Sequence, residues 1–336
     1  MARERGRRRG MRWLIGLVIV LGVAWTGYWY AVSRAAETVI ARMSSAISAH
    51  GGSLSWTEQG ISGFPLSLDF RSSEVKFTYA PASVAAGINR VTASAPLYYP
   101  GRVQAAFVGP VVFDSPEAGI AVSASWSAAT GMVDVGLSGL TRAGGRIDGL
   151  SLDQTGPRLP VKHLATGHAD FDASPAEDNG YRLTANAEEI SLQRADGETL
   201  PSVAGRLDAI ALNFGPSLGM DPEAAIKRWI RKGGTLQITT LTFSAGKFSV
   251  KASGNLSLGP DGLLSGDLIV SLAGLEDLPA IVEQVKPGSS EKVTQVAAMI
   301  KPDANGATPP IPLRINKGKV LLAGLFKVGS IPPMKL

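Results

Sequence analysis

The side chains best equipped for chemistry are few: the 336-residue chain holds three histidines and no cysteine. His163 and His168 stand five apart in a predicted strand, where alternation sends them to opposite faces and prevents joint chelation. His168, Asp170 and Asp172 share one face and come nearest to a metal-binding set, although a solvated polar face accounts for them without a metal. His50 ends a predicted helix, where its charge or a contact to a free carbonyl is the ordinary role. A serine nucleophile needs a base beside it and commonly a Gly-x-Ser-x-Gly turn. Gly136-Leu137-Ser138-Gly139 misses that spacing, Gly215-Pro216-Ser217-Leu218-Gly219 meets it by spacing alone, and no phosphate loop of the Gly-x-x-x-x-Gly-Lys-Ser/Thr type occurs. The carboxylate pairs Glu188-Glu189 and Glu276-Asp277 are chain neighbours, which rarely converge on one substrate bond. Asn255-Leu256-Ser257 matches a glycosylation sequon but lies in a predicted strand. These residues predict no catalytic set, no metal site and no cofactor. A hydrolase built on His168 and Asp170 is the least favoured expectation.

Position and charge say more. Arg3, Arg5, Arg7, Arg8, Arg9 and Arg12 crowd the first twelve residues, and Trp13 to Val32 then runs without a formal charge. As a helix rising about 1.5 Å per residue, that run reaches roughly 30 Å, the thickness of a bilayer's hydrocarbon core. Trp25, Tyr28, Trp29 and Tyr30 form an aromatic girdle of the kind that sits at headgroup level, and a signal peptide's apolar core is shorter than this run. A retained anchor is therefore expected, with membrane phospholipid as its surroundings. Basic residues resist translocation, so the tail 1–12 is expected in the cytoplasm, a transmembrane helix over 13–33, and the rest in the periplasm. Removing the tail leaves equal numbers of basic and acidic side chains. The basic pI of 9.4 thus belongs to the tail, and nucleic acid is not an expected partner. Without cysteine the exported part is held by burial alone, which its length allows.

The elements beyond the anchor are short. Val39, Ile40, Met43, Ala46 and Ile47 recur at helical spacing and Gly51-Gly52 ends the pattern, predicting a stalk helix over 34–52. From 53 to 336 a β-rich domain is expected, because apolar rows of period two alternate with Gly, Pro, Asn and Asp. Leu66, Leu68 and Phe70 form one row, and Val75, Phe77 and Tyr79 another. Val122, Ala124 and Trp126 face Val133, Val135 and Leu137 across an expected turn at Ala129–Gly131. Phe248 to Leu258 and Leu264 to Leu272 form the clearest hairpin, with Gly254 inside it and its turn at Pro260-Asp261-Gly262. Ile311, Leu313 and Ile315 approach the turn Asn316-Lys317-Gly318, and Val320 and Leu322 leave it. Helices are expected at Asp221–Lys232, burying Ala225, Ile226, Trp229 and Ile230, and in two pieces over Glu276–Lys301, split at Pro287-Gly288. Pro65 lacks a donor and belongs at a strand start, with Phe64 packed beneath it. The fold class is mainly β (β-rich α+β): an antiparallel, curved sheet forming a groove or barrel-like body, with an N-terminal transmembrane helix and a few short covering helices. A wide sheet with one aliphatic face suits an acyl chain.

The order of basic tail, anchor, stalk, Ser55-Trp56-Thr57 and then Gly60-Ile61-Ser62-Gly63-Phe64-Pro65-Leu66-Ser67-Leu68 resembles the alphaproteobacterial family of unknown function numbered 2125. Val250 to Leu278 is similar to that family's late hairpin and helix. Leu313 to Leu336, with Gly318 and the terminal Gly329-Ser330-Ile331-Pro332-Pro333, is similar to its closing segment. The resemblance implies an inner-membrane protein with a periplasmic β-rich domain and transfers no catalytic residue. A more distant resemblance is to AsmA-like envelope proteins, which are associated with lipid handling. The leading expectation is a single-pass inner-membrane protein that binds lipid acyl chains in envelope maintenance. The alternative is a scaffold that recruits another envelope protein through its stalk helix or sheet edge.

Overall fold

The computed structural model describes residues 3–49, 51–99, 101–117, 119–136, 139–156, 161–177, 179–215, 222–285, 288, 290, 294, 308–322, 324 and 326–333. One helix, α1 (Arg3–Ala49), runs through both the predicted anchor and the predicted stalk. The side chains of residues 1–19 lie outside the described ones, and among the described residues no helix is long and apolar enough to cross a membrane. Gly51, at φ +82°, turns the chain into the sheet.

Among the described residues a single antiparallel sheet of seventeen strands makes up the body. It begins with β1 (Gly52–Ser55), β2 (Glu58–Ser62), β3 (Ser67–Tyr79), β4 (Val84–Pro96), β5 (Arg102–Ser115), β6 (Ile120–Ser125), β7 (Ala128–Gly136) and β8 (Gly139–Thr155). It continues with β9 (Val161–Ala176), β10 (Gly180–Arg194), β11 (Val203–Leu212), β12 (Thr235–Ala245), β13 (Phe248–Leu258), β14 (Leu264–Ala273), β15 (Ile311–Asn316), β16 (Lys319–Leu322) and β17 (Phe326–Ser330). From β3 on, chain neighbours pair, except that β1 and β2 lie end to end along β3, and β6 and β7 lie end to end between β5 and β8. The sheet does not close into a barrel among the described residues. The expected hairpin of Val122–Trp126 with Val133–Leu137 is overturned, because Ala129–Gly131 is strand and those segments are halves of one interrupted strand.

A crease explains the interruptions. It passes through the gap at Trp56–Thr57, Glu74 in β3, Asn89 in β4, Gly109–Pro110 in β5, the gap at Trp126–Ser127, Gly149 in β8, Gly167 in β9 and Glu189 in β10. Glu74, Gly149 and Glu189 have φ of 49°, 59° and 55°, in the left-handed region; Glu189 lies in a bulge against β11, while Glu74 and Gly149 each stand out of the ladder opposite an equally unpaired residue, Asn89 and Gly167. Thr57 and Ser127 reach across the gaps with N–H bonds to the Ser73 and Asp148 carbonyls, of 3.1 and 2.9 Å. A residue outside the ladder reverses side-chain alternation. Apolar residues therefore stay on one face although their parity changes: Leu68, Phe70 and Ser72 before Glu74, and Val75 after it, line the same groove.

Directly paired residues share a face, so the register can be followed across strands. One row runs Phe70–Ala93–Ala105–Gly131–Gly145–Phe171 and on through Ala185, Leu207, Leu241, Ala252, Val270 and Ile311. It contains no polar side chain and, at about 4.8 Å per strand, extends roughly 50 Å. The row beside it on the opposite face, Arg71–Thr92–Ala106–Thr130–Arg146–Asp170–Asn186–Arg206, is almost wholly polar. Towards the C-terminal end the apolar face thickens into a core of Ala209, Ile238, Leu268 and Ile315, packed by Leu207, Leu236, Leu256 and Leu313.

Two helices flank this end. In α2 (Pro222–Arg231), Ala225 and Ile230 are buried and the Trp229 indole donates to the Leu212 carbonyl at 2.6 Å. Ile226, expected in the buried face, is exposed. The predicted capping residue Asp221 lies outside the described residues. The second helical region is α3 (Leu278–Val285), and most of 286–307 lies outside the described residues. The two C-terminal hairpins form as expected: Leu258 pairs Leu264, and Asn316 pairs Lys319 around Lys317 and Gly318, whose φ of 45° and 74° make a two-residue turn.

Candidate functional site

Helix α1 does not stand clear of the sheet. Trp25 and Trp29, one turn apart, donate their indole N–H groups to the carbonyls of Pro65 (2.7 Å) and Ser67 (3.0 Å). Trp29 also meets the Phe64 ring edge-on at 5.7 Å. Gly63, at φ +100°, makes the turn that allows this, accepting bonds from the Leu66 and Ser67 N–H groups. Phe64 is therefore not packed beneath Pro65 as expected; it is 53% exposed at the helix–sheet junction.

Just past the junction, Val32, Ala35 and Ala36 of α1 face Leu54, Trp56, Leu68, Phe70, Val91, Ala93, Ala95 and Val103 across a groove of about 800 Å³. Its walls are almost entirely aliphatic and aromatic, and its size is that of a small-molecule site. One polar group interrupts them. Ser72 is 2% exposed, and its Oγ has no hydrogen-bond partner. A buried hydroxyl without a partner is costly, and a carbonyl or hydroxyl on a molecule in the groove would satisfy it.

The opposite face carries the charges. The Arg102 guanidinium grips Asp134 at 3.0 and 2.9 Å and holds that carboxyl below its usual range, and Arg182 does the same to Asp208. Arg142 pairs Asp172 at 2.6 Å. His168 lies between Asp148, 2.7 Å from Nδ1, and Asp170, 2.8 Å from Nε2, and these bonds raise its pKa. Asp148, bonded by Arg146 and then by His168, is held low. His163 lies opposite its own Asp153 at 2.7 Å. The unpaired residue at Gly167 reverses the alternation, so both histidines lie on the polar face, contrary to the expected opposite facing; roughly 16 Å of strand separates them. With both ring nitrogens on carboxylates, the protonated form of His168 is the one the fold favours. Among the described residues no cluster of three His, Asp or Glu is placed to hold a metal ion.

The other sequence-predicted residues do structural work where they are described. Gly254, at φ +143°, lies so close to the Asp267 carbonyl that a side chain would collide. Asp261 Oδ1 accepts the Leu263 N–H at 3.1 Å, and Gly262 closes the same turn. Gly318 donates to Leu264 and accepts from Ile331, fixing the segment that leads to exposed Pro332 and Pro333. Tyr28 packs against Trp25 at 5.7 Å, and Tyr30 accepts hydrogen bonds from Arg34. Arg7, Arg8, Arg9, Arg12 and Trp13 lie outside the residues whose side chains are described. Sequence reasoning missed Ser72 and the crease. The change from the even row 66, 68, 70 to the odd row 75, 77, 79 was the signal for both.

The family model described as an uncharacterized protein conserved in bacteria, DUF2125, matches residues 29–332. The chain belongs to this family. The match covers Trp29 of the helix–sheet junction, the groove and the sheet through β17. No curated protein and no solved structure matches the chain.

Proposed function

We propose that this DUF2125 protein is a single-pass inner-membrane protein whose periplasmic sheet holds lipid acyl chains along its apolar face. The observation that carries the reading is the unbroken apolar row from Phe70 to Ile311, continuous with the groove beneath α1. Its length of roughly 50 Å exceeds the hydrocarbon thickness of a bilayer, about 30 Å. Several of its side chains and their neighbours, Phe171, Val103 and Phe243 among them, are solvent-exposed, an arrangement soluble faces avoid unless they bind something. Uncharged Trp13–Val32 behind a basic tail supports the anchor and its direction.

The test is native mass spectrometry and lipid extraction of the full chain purified in detergent. Co-purifying phospholipid or fatty acid is expected. Chains free of any amphiphile, with a protein crosslinked at unit stoichiometry in membranes, would replace this reading with the scaffold.

A further inference from the structure

We propose that two loop tips beside α1, Phe64–Leu66 and Leu97–Tyr99, rest in the outer interfacial layer of the inner membrane, so that the groove opens directly onto lipid. The proposal rests on the reading of the N-terminal segment as a membrane anchor. The loops belong together, because the Leu97 N–H donates to the Leu66 carbonyl at 2.9 Å. The first is fixed to the helix at the level of its aromatic girdle by the Trp25 and Trp29 bonds to Pro65 and Ser67, and the second is held to the first. At each tip one side chain points outward, Leu66 at 67% and Tyr98 at 79% exposed, while Leu97 is buried. On the helix, Val20, Leu21 and Val23, just before Trp25, are exposed as well.

Charge marks the same border. Gly60–Leu68 and Val91–Gly101 contain no charged residue, like Trp13–Val32 beside them, and each run ends at a charge: Asp69, Arg102 and Arg34. Arg34, paired with Glu37, lies over the Tyr30 ring at 5.1 Å, and Arg102, paired with Asp134, lies over Tyr99 at 5.4 Å, so the first charges past each uncharged run stand beside an aromatic ring. Tyrosine and tryptophan prefer that depth because a flat apolar body and a polar tip are both satisfied there. The groove begins at this border, since Leu68, Leu97 and Val103 line it. An acyl chain leaving the outer leaflet would meet apolar walls without first crossing water.

The chain has no cysteine, so single cysteines can carry an environment-sensitive NBD dye without background. Leu66→Cys, Tyr98→Cys, Val23→Cys on the helix and Lys251→Cys on the polar face would each be labelled in the full chain and reconstituted into phosphatidylcholine–phosphatidylglycerol vesicles. Labels at 23, 66 and 98 are expected to shift to the blue, lose quenching by aqueous iodide and gain quenching by a nitroxide-bearing lipid, while 251 stays water-like. Lipid quenching at 23 with water-like labels at 66 and 98 overturns this proposal and leaves the anchor standing. Water-like labels at all four positions overturn both. Shielding at 66 and 98 from iodide without quenching by the nitroxide lipid assigns the tips to a second copy of the chain and overturns the proposal.

Discussion

At the scale of single residues, Ser72 and His168 stand under unusual hydrogen-bonding and electrostatic conditions. Ser72 keeps a hydroxyl buried without a partner in the groove wall. Removing it lifts a desolvation penalty, so Ser72→Ala is expected to raise the unfolding free energy of lipid-free protein by about 1 kcal/mol, read from urea denaturation. The same variant should retain less co-purified lipid, because the hydroxyl no longer bonds the ligand. His168 has a raised pKa in the fold, chiefly through Asp148 and then Asp170. Its protonated form is the one the fold favours, so its contribution is fully present below the ordinary histidine value and is lost as pH rises through the raised one. Asp148, held low, contributes in the opposite sense and loses its share only as pH falls through its depressed value. The urea midpoint should thus fall as pH rises above about 6.5, the ordinary histidine value, and His168→Gln should flatten that slope. An unchanged slope would mean that His168 is not the titrating group.

At the scale of elements, the crease governs which face each strand presents. Gly149 occupies it with φ 59°, and an added Cβ would lie 3.0 Å from Ser127 Oγ. Gly149→Ala is expected to cost about 1 to 2 kcal/mol from the left-handed conformation alone, measured by thermal unfolding. A neutral result would show that the crease relaxes freely there. The sequence displayed the strands and turns well where hairpins are local: Pro260-Asp261-Gly262 and Lys317-Gly318 define their own registers. It displayed the crease poorly, because Glu74 and Glu189 are not residues that favour positive φ. The interrupted strands β1–β2 and β6–β7 were equally hidden. Ser55-Trp56-Thr57 and Ser125-Trp126-Ser127 mark the two gaps, and in the second the Trp126 indole covers Gly109 and donates to the Phe107 carbonyl at 2.8 Å. Phe64 was misjudged for a related reason: the contact that holds it comes from Trp29 on α1, 35 residues earlier in the chain.

At the scale of the whole molecule, the sheet is two-sided: a ladder of arginine–aspartate pairs on one face, and on the other small and aliphatic side chains in rows that cross strand after strand. Period-two alternation made the existence of an aliphatic face legible. Its continuity came only from the register, because no single strand shows that Ala105, Gly131 and Gly145 are direct partners. The Phe171 ring lies over Gly145, where a side chain would collide with it, so the small residues let that ring lie flat along the apolar face. The central claim is that lipid occupies this face and not the other. Photo-crosslinking from benzophenone-phenylalanine measures it most directly, installed in the full chain in native membranes at Phe171 and Phe243 on the apolar face, and at Asp172 and Thr240 on the polar face. Phospholipid adducts at 171 and 243, with none at 172 and 240, are predicted; adducts absent from all four positions, or equal on both faces, would contradict it.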